Sequence, residues 1–177
     1  MPHRSTRRAG GFTLIEVIVA IAIAAILVGL ALPSFNDALN SNRLANASNE
    51  LLATVAFARS EAIRGNRGAV VCPSTDGLTC SGDWAAGWIM WADNNADGIR
   101  QTSGVNAEPV LRAQAALFNV SSTGSNAAIR FSPRGAVTAG AGVITLRPTA
   151  CPAGRPFRRT ITVMAGGMAR VQRQDCT

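Results

Sequence analysis

One apolar run dominates the first part of the chain. From Phe12 to Leu32 almost every residue is apolar, and at about 1.5 Å per residue a helix of this length would cross the hydrocarbon core of a bilayer. The exception is Glu16, an acid with no basic residue near it in the run. The segment before the run carries arginines and no acid, so the positive-inside rule keeps that end cytoplasmic. The pattern predicts a membrane span over 12–33, with the rest of the chain exported.

A second apolar pattern follows the run and has helical spacing. Apolar residues recur every three to seven positions. They are Phe35, Leu39, Leu44, Leu51, Val55, Ala58 and Ala62. Asn and Ser are frequent from 34 to 49, which indicates a solvated first part, whereas the later part should pack on a globular domain. Pro33 cannot donate to the carbonyl of Gly29, so it should kink or loosen the helix there. The pattern predicts an amphipathic continuation of the helix over 34–65.

Short β-like runs separated by turn residues replace the helical spacing after Gly68. The predicted strands are 69–72, 87–92, 108–113, 119–122, 128–132, 143–148, 159–164 and 169–174. The stretches "SSTGSNAA" and "TAGAGV" are typical of loops. The glycines of "AGG" (165–167) can adopt positive φ, so the last two runs should form a hairpin. The sequence therefore predicts an α+β fold, with a long N-terminal helix packed on a β-rich head over 66–177.

Four cysteines, Cys72, Cys80, Cys151 and Cys176, fit an exported domain in an oxidising compartment. They allow three pairings, and sequence proximity favours Cys72 with Cys80 and Cys151 with Cys176. In the chain-entropy model these two loops would contribute about 2.6 and 3.5 kcal/mol. A metal site is disfavoured, because neither pair has the two- to four-residue spacing of zinc ligands.

Catalysis is disfavoured by the residue types that the exported part lacks. The chain has no lysine or tyrosine, and its one histidine, His3, precedes the apolar run. With the cysteines bridged, few general bases remain, so we expect neither an enzyme nor a cofactor. The loop "DNNADG" (93–98) resembles the front half of an EF-hand loop. Its twelfth position is Gly104 rather than the bidentate glutamate, so we interpret it as a tight β-turn.

The residues around the start of the apolar run resemble the processing site of type IV prepilins and pseudopilins. A glycine pair directly precedes "FTLIE", whereas a secretory signal peptide has its cleavage site after the apolar core. The resemblance implies that 1–11 is a leader, that a prepilin peptidase cuts between Gly11 and Phe12, and that Phe12 becomes N-methylated. Glu16 then has a candidate partner, the terminal ammonium of a neighbouring subunit. We assign Glu16 and Pro33 to assembly.

Pieces beyond the leader resemble the GspH/FimT family of type IV minor pilins and type II secretion pseudopilins. They are "FARSEAI" (57–63), "AVVCPS" (69–74) and "GWIMWADNNADG" (87–98). The resemblance implies a type IV pilin-like fold and a low-abundance subunit. Such a subunit is held in the bacterial inner membrane, with its head in the periplasm, before it joins other pilin or pseudopilin subunits. The resemblance does not decide between a type IV pilus and a type II secretion system.

Charge is unevenly distributed along the head. Residues 76–108 include five acids and one arginine, whereas residues 109–177 include nine arginines and one acid, Asp175. The resemblance gives this asymmetry a meaning, because FimT-like minor pilins are associated with binding double-stranded DNA in natural transformation. They do so through a basic C-terminal region with a G-R-x-R motif. Arginine on an exposed surface suits phosphate contacts, which hold DNA without reading its sequence.

The corresponding motif in this chain, "ARVQR" (169–173), is degraded. Ala169 replaces the glycine, Arg170 matches, and Gln172 stands where the second arginine belongs. Arg173 is one position further on, and in a strand that single step moves a side chain to the opposite face. Only Arg170 can therefore be carried over from the family motif.

The predicted hairpin nevertheless gathers polar residues on one face. If Gly166 centres it, Thr162 lies opposite Arg170 and Thr160 opposite Gln172. The outward side chains are then Arg158, Thr160, Thr162, Arg170 and Gln172, and the inward ones are Ile161, Val163, Ala169 and Val171. Arg155, Arg159 and Arg173 should cluster at the open end. Arg130, Arg134 and Arg147 are outlying candidates.

Two functions follow from this pattern. The first is a minor pilin of a type IV pilus that binds double-stranded DNA non-specifically, through a patch of five arginines. These are Arg155, Arg158, Arg159, Arg170 and Arg173. The alternative is a structural GspH-type pseudopilin of a type II secretion system with no DNA binding. Its arginine face would only keep the head soluble or pair with acids of a neighbouring subunit.

Overall fold

The computed structural model describes residues 12–177, apart from the side chains of 30–34, and divides into two compact units at Leu39 and Asn40. The predicted cleavage residue Gly11 lies outside the described residues, whereas Phe12 lies within them and is exposed. A long helix, α1, spans Leu14–Gly65. Pro33 is within this helix, and its side chain is outside the described set.

Both ends of α1 have local capping interactions. At the start, the Thr13 hydroxyl accepts a hydrogen bond from the backbone N–H of Glu16 (3.3 Å), the arrangement of an N-cap. At the end, Asn66 has a positive φ of 48°, and the N–H of Arg67 donates to the carbonyl of Ala62 (3.2 Å). A left-handed residue just past the last turn is a common way to end a helix.

Among the described residues, no helix combines the length and apolar character that crossing a membrane requires. The membrane span expected over 12–33 is not found among them.

Burial along α1 begins well after the apolar run. Phe35 is exposed, and buried apolar side chains begin at Leu44. From there, buried positions recur at helical spacing and point into the head. They are Leu44, Ala47, Ser48, Leu51, Thr54, Val55, Ala58, Glu61 and Ala62. In the Asn- and Ser-rich segment, Ser48 is buried, whereas Asn46 and Asn49 remain exposed.

The described residues form two antiparallel sheets. The first has the order β3-β2-β1-β5-β6. Its strands are β1 (Gly68–Pro73), β2 (Trp88–Asp93), β3 (Val110–Gln114), β5 (Ile129–Phe131) and β6 (Val137–Ala139). The second has the order β4-β7-β8-β9. Its strands are β4 (Val120–Gly124), β7 (Gly142–Pro148), β8 (Arg158–Val163) and β9 (Ala169–Gln174).

The α+β pilin-like fold predicted from the sequence is confirmed, and all eight predicted strands are present. Two stretches predicted as loops contain strand residues: β4 extends to Gly124, and the unpredicted β6 occupies Val137–Ala139. β6 was missed because three residues are too few to show an alternating pattern. It is held in place from outside, where the N–H of Val137 donates to the carbonyl of Ala165 (2.8 Å).

The core of the head joins α1 to both sheets. Leu51 from the helix, Trp88 from the first sheet and Ile161 from the second are completely buried in one cluster. Trp88 Nε1 donates to the Thr54 hydroxyl (3.2 Å), so the polar atom of this large side chain is satisfied inside the core. Complete burial of a side chain such as Leu51 or Ile161 contributes about 1.5–3 kcal/mol to the stability of the fold. The part of α1 from Leu44 onward is therefore an integral part of the head.

Two disulfides tie loops to this framework, Cys72–Cys80 and Cys151–Cys176. These are the pairs that sequence proximity favours. The second bond joins the loop before β8 to the C-terminal tail. Around it, the carbonyl of Cys176 accepts from the N–H of Gly154 (3.0 Å), and the N–H of Cys176 donates to the carbonyl of Arg155 (2.8 Å).

Candidate nucleic-acid interface

The last two strands pair in the register predicted for the hairpin. Thr162 lies opposite Arg170, and Thr160 lies opposite Gln172. Gly166 is the central residue of the turn, because Val163 pairs with Ala169. The positive φ belongs to the next residue, Gly167 (81°). The alternation of side chains along β8 and β9 is thus fixed.

One face of the four-stranded sheet is apolar and buried. Ile161 and Val163 of β8 belong to the core, as do Ile144 and Leu146 of β7. Side chains alternate along a strand, so the intervening residues occupy the other face of the sheet. They are Ser121, Thr123, Val143, Thr145, Arg147, Arg158, Thr160, Thr162, Arg170, Gln172 and Gln174. We call this the outward face. None of the four strands contains an acidic residue.

Arg158 is held on the outward face by the last strand. Its Nε and Nη2 atoms donate to Oε1 of Gln174 (3.1 and 2.6 Å), and Nη1 donates to the Thr177 hydroxyl (3.3 Å). The same Gln174 oxygen accepts from the Thr160 hydroxyl (2.8 Å). A guanidinium has five N–H donors, so two remain available to an anion. Thr160, expected to be exposed, is 9 % exposed.

Arg170 is exposed and, within the described residues, makes no ion pair with an acid. It lies opposite Thr162, four residue pairs along the hairpin from the pair that Arg158 forms with Gln174. At about 3.3 Å per residue and 4.8 Å between strands, the two arginines are about 14 Å apart at their Cα atoms. They are therefore separate positive positions on one surface.

The open end of the hairpin differs from the prediction in one residue. Arg159 is buried, with 6 % of its surface exposed, because it alternates with Ile161 and Val163 toward the inside. Its Nη1 donates to the carbonyls of Pro156 (3.0 Å) and Arg158 (3.3 Å). Burial lowers the pKa of the Arg159 guanidinium, and the positive charge of Arg173 lowers it further. The predicted contact of Arg159 with DNA requires an exposed side chain, and the structure places this side chain in the interior instead.

The other two arginines at this end are at the surface. Arg173 is exposed, lies opposite Arg159, and donates from Nε to the carbonyl of Pro156 (2.9 Å). Arg155 is exposed in the loop before β8, and its guanidinium stands 5.5 Å from the centre of the Phe157 ring. The backbone of Arg155 is held beside the Cys151–Cys176 disulfide, because its carbonyl accepts from the N–H of Cys176.

The three outlying candidates, Arg130, Arg134 and Arg147, lie in different parts of the head. The pairing of β7 with β8 ends with Leu146 opposite Arg159. The next position along the two strands brings Arg147 beside Arg158, so Arg147 belongs to the outward face. Arg130 lies on the first sheet, where its Nη1 donates to the carbonyl of Asp97 (3.4 Å). Arg134 is exposed in the turn between β5 and β6. The structure therefore adds Arg147 to the outward face and leaves the other two off it.

The loop 93–98 is closed by its own hydrogen bonds. The N–H of Gly98 donates to Asp93 Oδ2 (2.8 Å), and the N–H of Ile99 donates to Asp97 Oδ1 (2.7 Å). This last bond lowers the pKa of the Asp97 carboxyl. Buried Glu108 accepts from the N–H groups of Asn94 and Gln101. Within the described residues no group of three or more His, Cys, Asp or Glu side chains is arranged to hold a metal ion.

Glu16 has a local role that the motif "TLIE" could have revealed. A threonine followed three residues later by glutamate is the sequence of a capping box, and the Thr13 hydroxyl does accept from the Glu16 N–H. An acid in the first turn also suits the positive end of the helix dipole. Among the described residues the exposed Glu16 carboxylate forms no ion pair.

The long N-terminal helix and the two antiparallel sheets define the class of type IV pilin-like subunits. Residues 47–167 match the family described as Type II transport protein GspH, and residues 6–32 match the prokaryotic N-terminal methylation motif. The first match covers more than half of the chain, so the chain belongs to the GspH family. Proteins of this family are structural subunits rather than enzymes.

The chain is also similar to individual proteins and solved structures. The chain is 40 % identical over 94 residues to the pilin-like protein PilA1 of Thermus thermophilus, a match that spans 52 %, about half, of each protein's length. The crystal structure of the type IV minor pilin FimU of Pseudomonas aeruginosa has the same fold, with a TM-score of 0.52 and 19 % identity, over 75 % of this chain and 89 % of FimU. The minor pseudopilin EpsH from the type 2 secretion system of Vibrio cholerae aligns with a TM-score of 0.47 and 12 % identity, over 74 % and 97 % of the two chains.

Proposed function

We propose that this chain is a minor pilin of a type IV pilus that binds double-stranded DNA without sequence preference, through the outward face of its four-stranded sheet. One observation carries the proposal. Arg147, Arg158 and Arg170 lie on a single face together with threonine and glutamine side chains, and the four strands contain no acid. Arg155 and Arg173 extend the positive surface at the open end of the hairpin.

The chemistry of this face suits a phosphate backbone. Arginine binds phosphate oxygens through two parallel N–H donors, and threonine hydroxyls can add weaker contacts. In the described residues no helix projects from this face, and the β8–β9 hairpin is part of a four-stranded sheet. The face therefore offers neither a projecting helix nor a separate two-stranded ribbon to read bases in a major groove. Binding should therefore be electrostatic, non-specific and about micromolar or weaker at physiological salt.

The membrane and assembly steps belong to the same proposal. The N-terminal methylation motif supports processing by a prepilin peptidase between Gly11 and Phe12, after a stage in the inner membrane with the head in the periplasm. The family supports other pilin or pseudopilin subunits as partners. In the filament, Glu16 would pair with the terminal ammonium of a neighbouring subunit.

The second candidate is a structural pseudopilin of a type II secretion system. The GspH match over residues 47–167 favours this candidate, because the description of that family names type II transport and not DNA binding. In this case the outward face would pair with acids of a neighbouring subunit, and the free protein would not bind DNA.

A gel shift separates the two candidates. The full chain, purified in detergent, is titrated into two labelled duplexes of equal length and unrelated sequence. The DNA-binding proposal predicts shifts of both duplexes at similar protein concentrations and their loss at high salt. A chain that shifts neither duplex at low salt contradicts the proposal and leaves the structural pseudopilin. A chain that shifts only one duplex contradicts the absence of sequence preference.

A further inference from the structure

The last strand, β9, is an edge of the four-stranded sheet. The N–H of Met164 donates to the carbonyl of Met168 (2.8 Å), so these two residues form a hydrogen-bonded pair at the start of the hairpin. Such pairs alternate along an antiparallel ladder. The backbone groups of Arg170 and Gln172 therefore point to β8. Those of Ala169, Val171 and Arg173 point away from the sheet.

The first of these residues, Ala169, lines an apolar groove at the start of β9. Helix α1 forms the other wall, and the groove has a volume of about 500 Å³. Its apolar lining residues include Leu52, Val55, Ala56, Ile63, Met168 and Ala169. Ile63 and Met168 are 49 % and 59 % exposed. A row of unpaired N–H and C=O groups beside an apolar wall is the arrangement that receives an added strand.

A positive side chain lies in the same groove. Arg59 lines it from the helix, and its Nε atom is buried with no hydrogen-bond partner in the described part of the chain. The turn glycine Gly167 lies against this side chain, where a Cβ atom would come within 3.0 Å of Arg59 Nε. An unpaired buried N–H costs free energy, so an acceptor brought by a ligand would be favoured here.

We infer that β9 receives an extended strand from a different protein. In this arrangement the added strand hydrogen-bonds to the backbone of Ala169, Val171 and Arg173. Its apolar side chains face the helix wall, and its alternate side chains are acidic and lie beside Arg170. An acceptor at one end reaches Arg59.

Charge argues against a second copy of this chain as the occupant. The exposed edge strands of the two sheets are β3, β4, β6 and β9, and none of them contains an acid. Pairing β9 with its own copy would bring arginines of both chains together, and charged residues on an edge strand are a known protection against such pairing. The edge strands of a second copy therefore do not complement β9, and its arginines favour an acidic strand from another protein.

The test uses a short acetylated peptide that alternates valine and glutamate. Backbone amide hydrogen exchange of the full chain in detergent is followed by NMR with and without the peptide. We expect exchange at Ala169, Val171 and Arg173 to slow by about tenfold or more, whereas Arg170 and Gln172 are already protected by β8. Two control peptides replace glutamate by lysine or carry N-methyl groups on alternate valines. Neither control should protect these amides.

Two substitutions test the groove itself. Ala56→Trp fills it from the exposed side of the helix and should weaken peptide binding by about tenfold, whereas Ala53→Trp, on an exposed position that does not line the groove, should not. Both positions are at the surface, so folding is preserved. The inference is overturned if the valine–glutamate peptide leaves exchange at Ala169, Val171 and Arg173 unchanged. It is also overturned if the lysine peptide protects them equally, or if the two tryptophan variants bind alike.

Discussion

Arg158 and Gln174 face each other across the last two strands, and one amide oxygen of Gln174 accepts two hydrogen bonds from the Arg158 guanidinium. An uncharged residue thus positions one of the three arginines of the outward face. The sequence did not reveal this role, because glutamine at the end of a strand has no distinctive pattern. A substitution of Gln174 therefore alters the position of Arg158 on the outward face without altering the charge of that face.

Substitution of Gln174 should weaken DNA binding without changing net charge. In Gln174→Leu, Arg158 loses its main acceptor, and we expect the affinity for duplex DNA to fall about fivefold, equivalent to about 1 kcal/mol. The matched control is Gln172→Leu, which removes a glutamine from the same face that is not an acceptor for Arg158. Fluorescence anisotropy with labelled duplex measures both variants. Equal losses would mean that Gln174 does not act by positioning Arg158.

Arg159 should matter for stability rather than for DNA. Its buried guanidinium donates to the carbonyl of Pro156, so Arg159→Ala should lower the free energy of unfolding by about 1–3 kcal/mol. Arg170→Ala, at an exposed position, should change it by less than about 0.5 kcal/mol. Urea denaturation followed by circular dichroism gives both values. A fully stable Arg159→Ala variant would show that the buried contacts contribute little.

Arg159 is buried, whereas Arg155 and Arg173 are exposed, and this difference could be predicted from the sequence only in part. The alternation along β8 and β9 and the turn at Gly166 were predictable, because apolar residues and a glycine pair fix the register. The same alternation directs Arg159 inward, but its place in the interior also depends on the loop 151–157, which brings the Pro156 carbonyl to the end of the strand as an acceptor. The position of a backbone carbonyl in a loop cannot be inferred from the types of the residues around it.

Other misses have equally specific causes. Arg147 could have been placed on the outward face if the pairing of β7 with β8 had been known, but strand order within a sheet is not visible in a single sequence. The capping box at Thr13 and Glu16 was visible. It was overlooked because the same letters form part of the processing site.

The head should lose stability in acid partly through Glu61. This buried carboxylate accepts from Arg67 (2.8 Å) and from Arg64, and these bonds lower the pKa of Glu61 below its ordinary value of 4.5. The unfolded chain therefore binds the proton more tightly. The stabilisation is complete above about pH 4.5 and is lost as the pH falls through the lowered folded value.

The comparison of wild type with Glu61→Gln isolates this contribution. At neutral pH we expect the variant to unfold with about 1–3 kcal/mol less free energy, and the difference should shrink as the pH falls below about 4.5. Other carboxylates, such as Asp76 and Asp97, also have lowered pKa values, but they are common to both proteins and cancel. A difference that stays constant down to acid pH would contradict this account.

Two substitutions separate the capping role of Glu16 from its proposed role in assembly. Glutamine can occupy the same place in a capping box, so Glu16→Gln keeps the helix start and removes the charge. If Glu16 pairs with the terminal ammonium of a neighbour, Glu16→Gln and Glu16→Ala should both be processed and both fail to enter the filament. Immunoblots of sheared filaments and of membranes provide the measurement. Normal incorporation of the glutamine variant would limit Glu16 to capping.

The salt dependence of duplex binding tests the central claim most directly. The full chain is compared with a triple variant, Arg147→Ala, Arg158→Ala and Arg170→Ala, and with a control of equal charge loss on the helix and around the first sheet, Arg43→Ala, Arg112→Ala and Arg134→Ala. Each phosphate contact contributes about 0.9 to the slope of log affinity against log salt. We predict that the slope falls by about 2–3 in the first variant and is nearly unchanged in the control. Equal slopes in the two variants would contradict binding through the outward face.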